Sequence, residues 1–515
     1  MKKGILGVPK DPKNRVLVSF NRWFDDWPST DSDDSDYKPE DSSSNADVDV
    51  ILRKQNCRKR IKASDNNLDT VHDASGYSDK DLWGKCIPQL VLLKIFHHVV
   101  ESSGAIPFLC RAQRVCRLWY QCAGDSTLWK TVDLSYGWIK ANDATLQLLC
   151  DTHFSKLTEI NLSNWKLLTV NGLKLLADSC PRLKSINLSH CRVNSTGVLY
   201  MINKCSHLAE IELMAYGCAD VVSAKVVVQI VCKCSQKLRS LNLSSNPLRG
   251  YNAVLKALAV YCPNLECLDL SQTINTSISV NFDIEQLQRG CPKLRILRLM
   301  NTLIAPTNVS LRDRNESPGF PELQELSFSI DPSVSGFMST GRSIVCSRLA
   351  NISGRNGNVL CRLTKTSQKL KLLDISGWSC VTCGDLQSLP ATDLVTLYMS
   401  HCSVERMDTL AAKWQHSLVE LDVSWNVHFE AALDVAVCRL ASNPAMSKLE
   451  VLDLRGTSVS IHSVQSLLQG CPVLRNLNLS SCRSLPRGIK REYFNESLEN
   501  LRQNIDSVAG SDVSQ

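Results

Sequence analysis

The sequence predicts an α/β fold in which a repeated strand-and-helix unit stacks into a horseshoe-shaped solenoid. A small three-helix module and a disordered N-terminal tail are expected to precede this solenoid. Three observations predict the organisation: a leucine pattern that recurs along most of the chain, a short helical block before it, and a charged, serine-rich stretch near the N-terminus. Hydrophobic residues make up 43% of the 515 residues and charged residues 21%, which is typical of a globular protein.

The recurring pattern is Leu-x-x-Leu-x-Leu, and most neighbouring copies start 24 to 29 residues apart, inside the range of leucine-rich repeats. Each copy is expected to form a short strand whose leucines point inward, with a helix packed behind it. We therefore predict a leucine-rich-repeat solenoid over residues 130–485, preceded by a degenerate copy at 129–134, and a C-terminal helix and tail over 486–515. The twelve copies start at Leu157, Leu183, Leu208, Leu238, Leu265, Leu294, Leu323, Leu370, Leu394, Leu418, Leu449 and Leu474.

The register of the repeats explains many of the 23 cysteines. Five of them lie three residues before the first leucine of a repeat. Three others lie eight residues after the first leucine of a repeat. A small, buried residue suits both positions. We therefore predict packing roles for eight cysteines: Cys180, Cys191, Cys205, Cys262, Cys291, Cys402, Cys471 and Cys482.

Two stretches interrupt the repeats. The segment 331–357, rich in serine, glycine and asparagine, is either a projecting loop or a degenerate repeat, and residues 303–322 are similarly irregular. Long insertions in a solenoid often lie at a binding face. A tolerated surface loop explains the segment equally well.

Residues 1–80 are predicted to be disordered, because opposed charge blocks with few aliphatic residues cannot bury enough surface to offset the entropy of ordering. An acidic stretch at 25–41 precedes a basic run at 53–62. The basic run is either a nuclear import signal or a solvated segment paired with the acidic stretch. Without a signal-peptide core or a bilayer-spanning apolar run, we expect cytoplasmic or nuclear localisation and no membrane partner. A net charge of +7 over the whole chain predicts no nucleic-acid partner.

Residues 83–129 are predicted to form a compact helical module. Apolar residues recur at helical spacing in two segments, one around Leu92 and one around Val115. A block of this length is close to the lower limit for independent folding. It would gain stability by burying part of its apolar surface against a partner.

The module resembles the F-box motif. Residues 87–99 resemble its Leu-Pro opening and Ile-Phe pair, residues 109–119 its Val-Cys-x-x-Trp helix, and Leu128 with Trp129 its closing pair. Leu90 departs from the motif, since it replaces a glutamate that often follows the opening. With the repeats, the resemblance covers about residues 83–485 and points to the F-box/leucine-rich-repeat family.

The resemblance implies a substrate receptor of an SCF-type ubiquitin ligase. Its F-box would bind a Skp1-like adaptor, which brings cullin and RING subunits, and its repeats would bind an unidentified protein substrate for ubiquitination and proteasomal degradation. Pro88 and Leu92 are expected to meet the adaptor, whereas Phe96, Val115 and Trp119 fit packing inside the module equally well. The adaptor-binding candidates are Ile87, Pro88, Val91, Leu92, Ile95, Phe96, Val115 and Trp119.

Motifs for catalysis are absent from the sequence: it has no phosphate-binding loop, zinc-protease motif or nucleophile elbow. Cys380 and Cys383 form a Cys-x-x-Cys pair without a second pair at zinc spacing, so loop packing is favoured over a metal site. We expect a non-catalytic protein without a cofactor or a bound metal.

Residues between the strand leucines are expected to line the inner, concave curve of the solenoid, where carboxylates outnumber arginines. One hypothesis is that a basic segment of the target binds there. The alternative is structural, because Asp or Asn is common at this repeat position. The target-binding candidates are Glu159, Glu212, Asp269, Arg298, Asp374, Tyr398, Asp422 and Asp453.

A second interpretation of the whole chain remains open. The protein would then be a leucine-rich-repeat scaffold or inhibitor without a role in ubiquitination. Its helical module would serve only as an N-terminal cap of the solenoid.

Overall fold

The computed structural model describes residues 87–511 apart from 216–220, 222, 274–279, 303, 331–358, 379–380, 403, 405 and 427–429. The predicted tail 1–80 with its basic run, the first residues of the helical module, the insertion 331–357, Cys380 and residues 512–515 therefore lie outside the described residues. The described chain forms two compact units. One contains residues 87–104 and 110–123, and the other contains residues 105–109 and 124–511.

The helical module contains helices α1 (Gln89–Ser103), α2 (Phe108–Ala112) and α3 (Arg117–Ala123). Pro88 immediately precedes α1 in an extended conformation, and its carbonyl accepts hydrogen bonds from the amides of Val91 and Leu92. Proline suits this boundary because its fixed φ leads into the helix. Gly104 ends α1 with a φ of 85°, a conformation that glycine adopts without steric cost.

The second unit is built on one sheet of fourteen three-residue strands among the described residues. Thirteen neighbouring strands are parallel, and the last strand, Glu492–Phe494, is antiparallel to its neighbour Asn476–Asn478. Each of the twelve predicted repeats contributes one strand, and Thr131–Asp133, from the predicted degenerate copy, pairs with the first of them. The strands are β1 (Thr131–Asp133), β2 (Glu159–Asn161), β3 (Ser185–Asn187), β4 (Glu210–Glu212), β5 (Ser240–Asn242), β6 (Cys267–Asp269), β8 (Ile296–Arg298), β10 (Glu325–Ser327), β11 (Leu372–Asp374), β12 (Thr396–Tyr398), β13 (Glu420–Asp422), β14 (Val451–Asp453), β15 (Asn476–Asn478) and β16 (Glu492–Phe494).

Helices connect the parallel strands, as a parallel sheet requires. The middle residue of each parallel strand is apolar and buried, so each strand turns one side chain toward the helices and two toward the opposite face. The helices are α4 (Asp143–Thr152), α5 (Val170–Ser179), α6 (Ser195–Lys204), α7 (Ala224–Cys234), α8 (Tyr251–Tyr261), α9 (Ile284–Gly290), α10 (Leu311–Glu316), α11 (Val359–Leu363), α12 (Cys383–Gln387), α13 (Met407–Trp414), α14 (Glu430–Leu440), α15 (Ile461–Gly470) and α16 (Asn495–Ser511). Short 3₁₀ turns lie at Ser126–Trp129, Phe154–Lys156, Ser235–Lys237 and Arg487–Ile489.

The irregular stretch 303–322 contains regular structure that the sequence pattern did not reveal. Strand β9 (Ile304–Pro306) pairs in parallel with β7 (Val280–Phe282) in a separate two-stranded sheet, and α10 follows. Phe282 and Ile304 are completely buried. This small sheet therefore has buried apolar residues of its own.

All eight cysteines assigned to packing positions are buried, which confirms that prediction. Burial raises the pKa of the Cys262 and Cys291 thiols to about 12, so both stay protonated at neutral pH. A protonated thiol is a poor nucleophile, which agrees with a structural role. Among the described residues, no helix is long and apolar enough to cross a bilayer.

Candidate functional site

The helical module carries apolar side chains on its surface as well as in its core. Leu92 and Phe96 of α1 are buried, and the Phe96 ring meets the Trp119 ring edge-to-face with centroids 5.1 Å apart. This pair fixes α1 against α3 within the same unit. Other apolar residues are exposed to solvent: Leu90 is 74%, Val91 46%, Ile95 39%, Val115 60% and Tyr120 49% exposed.

The predicted adaptor-binding residues therefore divide into two groups. Pro88, Val91, Ile95 and Val115 are exposed, and Ile87 and Trp119 are half-buried. Leu92 and Phe96 lie in the interior instead. Leu92 lies a turn before Phe96 on the buried side of α1, so its side chain is not exposed for the predicted contact with an adaptor.

Sequence reasoning missed two members of the exposed group. Leu90 was noted only as a departure from the motif, and Tyr120 was not singled out. Val91 and Ile95 lie one helical turn apart on the same side of α1, and Leu90 directly precedes Val91. The five exposed apolar residues of the module are together termed its exposed apolar face: Leu90, Val91, Ile95, Val115 and Tyr120.

The strand face of the second unit is the side of the main sheet that points away from the helices. Two columns of side chains run along it. The parallel register places the first residue of each strand beside the first residue of the next strand, and the third beside the third. The first column includes Glu159, Glu210, Ile296, Glu325, Thr396, Glu420 and Val451. The second column is Asp133, Asn161, Asn187, Glu212, Asn242, Asp269, Arg298, Ser327, Asp374, Tyr398, Asp422, Asp453, Asn478 and Glu492.

Most Asp and Asn side chains of the second column cap the ends of their own strands. Oδ1 of Asp422 accepts a hydrogen bond from the amide of Ser424 at 2.8 Å, and Asn242 holds the amide of Ser244 in the same way. Asp269, Asp374 and Asp453 likewise accept a hydrogen bond from the backbone amide of the residue two positions later. The recurring Asp or Asn is thus explained by turn geometry.

Burial and charge distinguish the carboxylates of this column. Asp269 and Asp374 are buried, and Asp453 is half-buried. Burial raises the pKa of all three carboxyl groups, since removal from water disfavours the ionised form. Arg298 lies beside Asp269 with 3.9 Å between Nη1 and Oδ2. Its Nη2 also donates to Oε2 of Glu325 at 2.9 Å.

The predicted target-binding residues all lie on the strand face of the second unit. Glu159, Glu212, Arg298, Tyr398, Asp422 and Asp453 are half-buried there, and Asp269 and Asp374 are buried. They do not form one compact pocket, because consecutive strands place them in a row along the sheet. The arrangement offers a long, polar surface for an extended ligand.

Comparison with known proteins matches both parts of the chain. Residues 85–135 match the family described as F-box-like, and residues 179–201 and 234–250 match the family described as Leucine Rich repeat. F-box protein SKIP19 of Arabidopsis thaliana is 26% identical over 261 residues, which cover 44% of this chain and 82% of the relative. F-box/LRR-repeat protein 4 of Bos taurus is 26% identical over 293 residues, 51% of this chain and 44% of the relative.

An F-box-like module and leucine-rich repeats therefore occur together in this chain, as they do in the F-box/LRR-repeat proteins that it resembles.

A solved structure with a similar fold is that of Rad7 in complex with Elc1 from yeast. It covers 86% of this chain and 89% of its own, with a TM-score of 0.42 and 16% sequence identity. At these values the likeness supports no inference about partners. The similarity to F-box/LRR-repeat proteins rests on the sequence matches and on the repeats themselves.

The end of the F-box-like match belongs to the second unit. Trp129 is buried, stacks on the ring of His153 with centroids 4.2 Å apart, and lies near Phe154. The next residues form β1 of the main sheet. The closing Leu-Trp pair of the motif therefore contributes to the core at the start of the repeats.

A second repeated feature escaped sequence reasoning, because very different residue types share it. The eighth residue after each first leucine, termed the donor position, places an N–H, O–H or S–H group within hydrogen-bonding reach of a buried backbone carbonyl. Asn246, for example, donates to the carbonyls of Leu213 and Leu243 at 2.6 and 2.9 Å. The described residues at the donor position are Trp165, Cys191, Asn246, Thr273, Thr302, Trp378, Cys402, Asn426, Thr457 and Cys482.

No group of histidine, cysteine and carboxylate side chains in the described part of the chain has an arrangement suited to a metal ion. Cys383 donates instead to the carbonyl of Arg406 at 3.3 Å. The two surfaces that remain as candidates for function are the exposed apolar face of the helical module and the strand face of the repeats.

Proposed function

We propose that this protein is the substrate-recognition component of an SCF-type E3 ubiquitin ligase. Its F-box-like module would bind a Skp1-like adaptor, and cullin and RING subunits would join through that adaptor. Its repeats would hold an unidentified protein target for ubiquitination. The protein itself would perform no chemistry, because its contribution is to raise the effective concentration of target lysines near the ubiquitin-loaded enzyme.

The observation that supports adaptor binding most strongly is the exposed apolar face of the module. Five large apolar side chains on so small a unit are more than scattered surface residues require. Burial against a partner would remove them from water. Each Å² of apolar area buried in this way would stabilise the complex by about 25 cal/mol. The match of residues 85–135 to the F-box-like family supports a Skp1-like adaptor as that partner.

Of the predicted adaptor contacts, the proposal keeps those whose side chains are exposed. Pro88, Val91, Ile95 and Val115 would meet the adaptor, and Leu90 would join them. Phe96 would support this face from beneath through its contact with Trp119. Localisation in the cytoplasm or nucleus, where such ligases act, belongs to the same proposal.

Adaptor binding can be tested with a charge placed on the exposed face. The full-length protein would be co-expressed with a Skp1-like adaptor, and the double variant Val91→Asp/Val115→Asp compared with wild type. Both side chains are exposed, so the variant should fold normally while its affinity for the adaptor falls by about 30-fold or more. Leu167→Asp is the matched control, because Leu167 is 69% exposed but lies outside the module.

The scaffold interpretation makes the opposite prediction. If the helical module only capped the solenoid, wild type would not co-purify with the adaptor and the double variant would behave identically. A melting temperature equal to that of wild type must accompany any loss of binding by the variant. Replacing Trp119 would be a poorer test, since its ring packs on Phe96 and its loss would weaken the module itself.

A further inference from the structure

The loops that follow β1 and β2 expose large apolar side chains. These loops cover residues 134–142 and 162–169 and lead into α4 and α5. Tyr136 is 51%, Trp138 57% and Leu167 69% exposed, and these three residues are termed the loop patch. Among the described loops that follow later strands, one exposes a large apolar residue, Trp425 at 39%. A group of exposed apolar residues in neighbouring loops often marks an interaction site, which a single one does not.

Hydrogen bonds hold the two loops side by side. Nε1 of the buried Trp165 donates to the carbonyl of Leu134 at 3.0 Å, which joins the beginnings of the loops. At their ends, the amide of Thr169 donates to Oδ1 of Asp143 at 3.0 Å. The residues of the loop patch lie between these two contacts, so they share one stretch of surface.

The exposure of the loop patch belongs to loops that are anchored in the core. Trp165 and Leu168 are buried, whereas Leu167 between them turns outward. In the first loop, Gly137 has a φ of 75°, and a Cβ atom there would meet no heavy atom within 4 Å. The turn at Gly137 therefore projects into open space. A partner can reach the loop patch without rearrangement of the core.

Cations border the loop patch. Lys166 directly precedes Leu167, and Arg192 belongs to the loop after β3, residues 188–194. This third loop lies beside the second, because the amide of Asn164 donates to the carbonyl of Ser189 at 2.9 Å. Lys166 and Arg192 are exposed, and neither pairs with a carboxylate among the described residues.

The three loops contain no aspartate or glutamate. The carboxylates that flank them already have partners inside the chain. Asp143 accepts hydrogen bonds from the amide and the hydroxyl of Thr169. Asp133, at the end of β1, accepts from the amide of Ser135 at 2.8 Å and from Nδ2 of Asn161 at 3.1 Å. The charge that remains available beside the loop patch is therefore positive.

We propose that the loops after β1, β2 and β3 bind an acidic segment of a partner protein that carries a large apolar side chain. The apolar side chain packs on the loop patch, and carboxylates of the segment pair with Lys166 and Arg192. Aromatic anchors surrounded by charged groups are typical of the places where binding energy concentrates at protein interfaces. This inference rests on the proposed function and names the class of segment that the receptor would capture.

An acidic protein segment fits these loops better than a nucleic acid does. A nucleic acid gains its affinity from many phosphate contacts along its backbone. The loops offer three cations, Lys140, Lys166 and Arg192. The neighbouring strand face carries Glu159 and Glu212, which would repel a phosphate chain that continued past the loops. A short segment with one apolar anchor does not need so long a path.

The test uses the full-length protein with its adaptor and a phage-displayed library of random twelve-residue peptides. The library is first depleted on the double variant Trp138→Ala/Leu167→Ala and then selected on wild type. Enriched peptides should combine aspartate or glutamate with a tryptophan, phenylalanine or leucine. Fluorescence anisotropy then measures the most enriched peptide against Lys166→Glu/Arg192→Glu, which should bind it about tenfold more weakly.

Two control variants match these changes elsewhere in the repeats. Lys156→Glu/Lys184→Glu makes the same charge change at exposed residues that precede β2 and β3, at the opposite ends of these strands. Leu311→Ala removes an apolar side chain that is 73% exposed. The proposal predicts that both controls bind the peptide like wild type. All the replaced side chains are exposed, so every variant should melt at the temperature of wild type.

Four outcomes would overturn the proposal. They are no enrichment after depletion, enrichment of peptides without acidic residues, equal weakening by the two charge variants, and displacement of the peptide by oligothymidylate at equal concentration. The last outcome would indicate a nucleic-acid surface. Adaptor co-purification tests the proposed function separately, because a protein that binds the peptide but not the adaptor would contradict the proposed function alone.

Discussion

At the scale of single residues, the donor position shows how the repeats tolerate varied side chains. Tryptophan, cysteine, asparagine and threonine share no shape or volume, but each can donate a hydrogen bond to a backbone carbonyl near the end of a strand. An unsatisfied carbonyl in the core costs more than a typical hydrogen bond gains. Donor chemistry, not size, is therefore the constraint at this position.

Replacing Asn246 tests this constraint. Its side-chain nitrogen donates to three carbonyls, those of Leu213, Leu243 and Ser244. Asn246→Ala should lower the free energy of unfolding by about 2–4 kcal/mol, as urea denaturation would measure. Asn246→Thr keeps one donor and should cost less. An alanine variant as stable as the threonine variant would contradict the argument.

Asp374 gives a prediction about pH. Burial raises the pKa of its carboxyl above the usual value of 3.8, so ionisation at higher pH opposes folding. Its stabilising contribution is therefore fully present below that usual value and is lost as pH rises through the raised pKa. Asp374→Asn should be more stable than wild type at pH 7, and the difference should shrink as the pH falls toward 4. A difference in urea midpoint that is independent of pH would show that the carboxyl does not titrate this way.

At the scale of elements, each strand continues into a turn with a left-handed residue. In every described repeat except the one that begins at Leu323, the seventh residue after the first leucine has a positive φ. Its amide donates to the next repeat, as from Trp425 to the carbonyl of Arg455 at 2.7 Å. The ladder between neighbouring repeats thus extends past the three-residue strands.

An ion pair joins two helices that are distant in sequence. Glu285 of α9 and Arg362 of α11 are both buried, with 2.6 Å between Oε2 and Nη2 and 2.9 Å between Oε1 and Nε. Gln288 of α9 also donates to the carbonyl of Arg362 at 2.7 Å. The pair connects α9, which lies between β7 and β9 in the chain, with α11, which follows the insertion 331–357.

Breaking this pair should be costly. Arg362→Met leaves the Glu285 carboxylate buried without its partner, and we expect the free energy of unfolding to fall by about 3–5 kcal/mol. The double variant Glu285→Met/Arg362→Met should be more stable than Arg362→Met alone, because no uncompensated charge remains. Urea denaturation of the three proteins provides the measurement. A double variant that is less stable than the single one would contradict the expectation.

The leucine register was sufficient to predict the strands and the eight packing cysteines, since apolar spacing follows directly from the geometry of the repeat. The left-handed position was not predictable, because asparagine, histidine, serine and tryptophan all occupy it. The pair of Glu285 and Arg362 was not predictable either, because the two residues lie 77 positions apart across an irregular stretch. On the module, helical spacing marked the apolar residues but not which of them are buried, so neither the burial of Leu92 nor the exposure of Leu90 was predicted.

At the scale of the whole molecule, the chain combines two units with different kinds of surface. The helical module exposes apolar side chains, which suit a lasting complex with an adaptor. The strand face of the repeats is polar and elongated, which suits an extended segment of a target. A receptor needs both properties in one chain, and neither surface requires catalytic residues.

The central claim is that the exposed apolar face of the module, not the repeats, binds a Skp1-like adaptor. Hydrogen–deuterium exchange of the full-length protein with and without the adaptor tests it most directly. The account predicts slower exchange in peptides covering residues 88–123 and unchanged exchange in the strands between residues 370 and 480. Protection confined to the strands, or no protection at saturating adaptor, would contradict it.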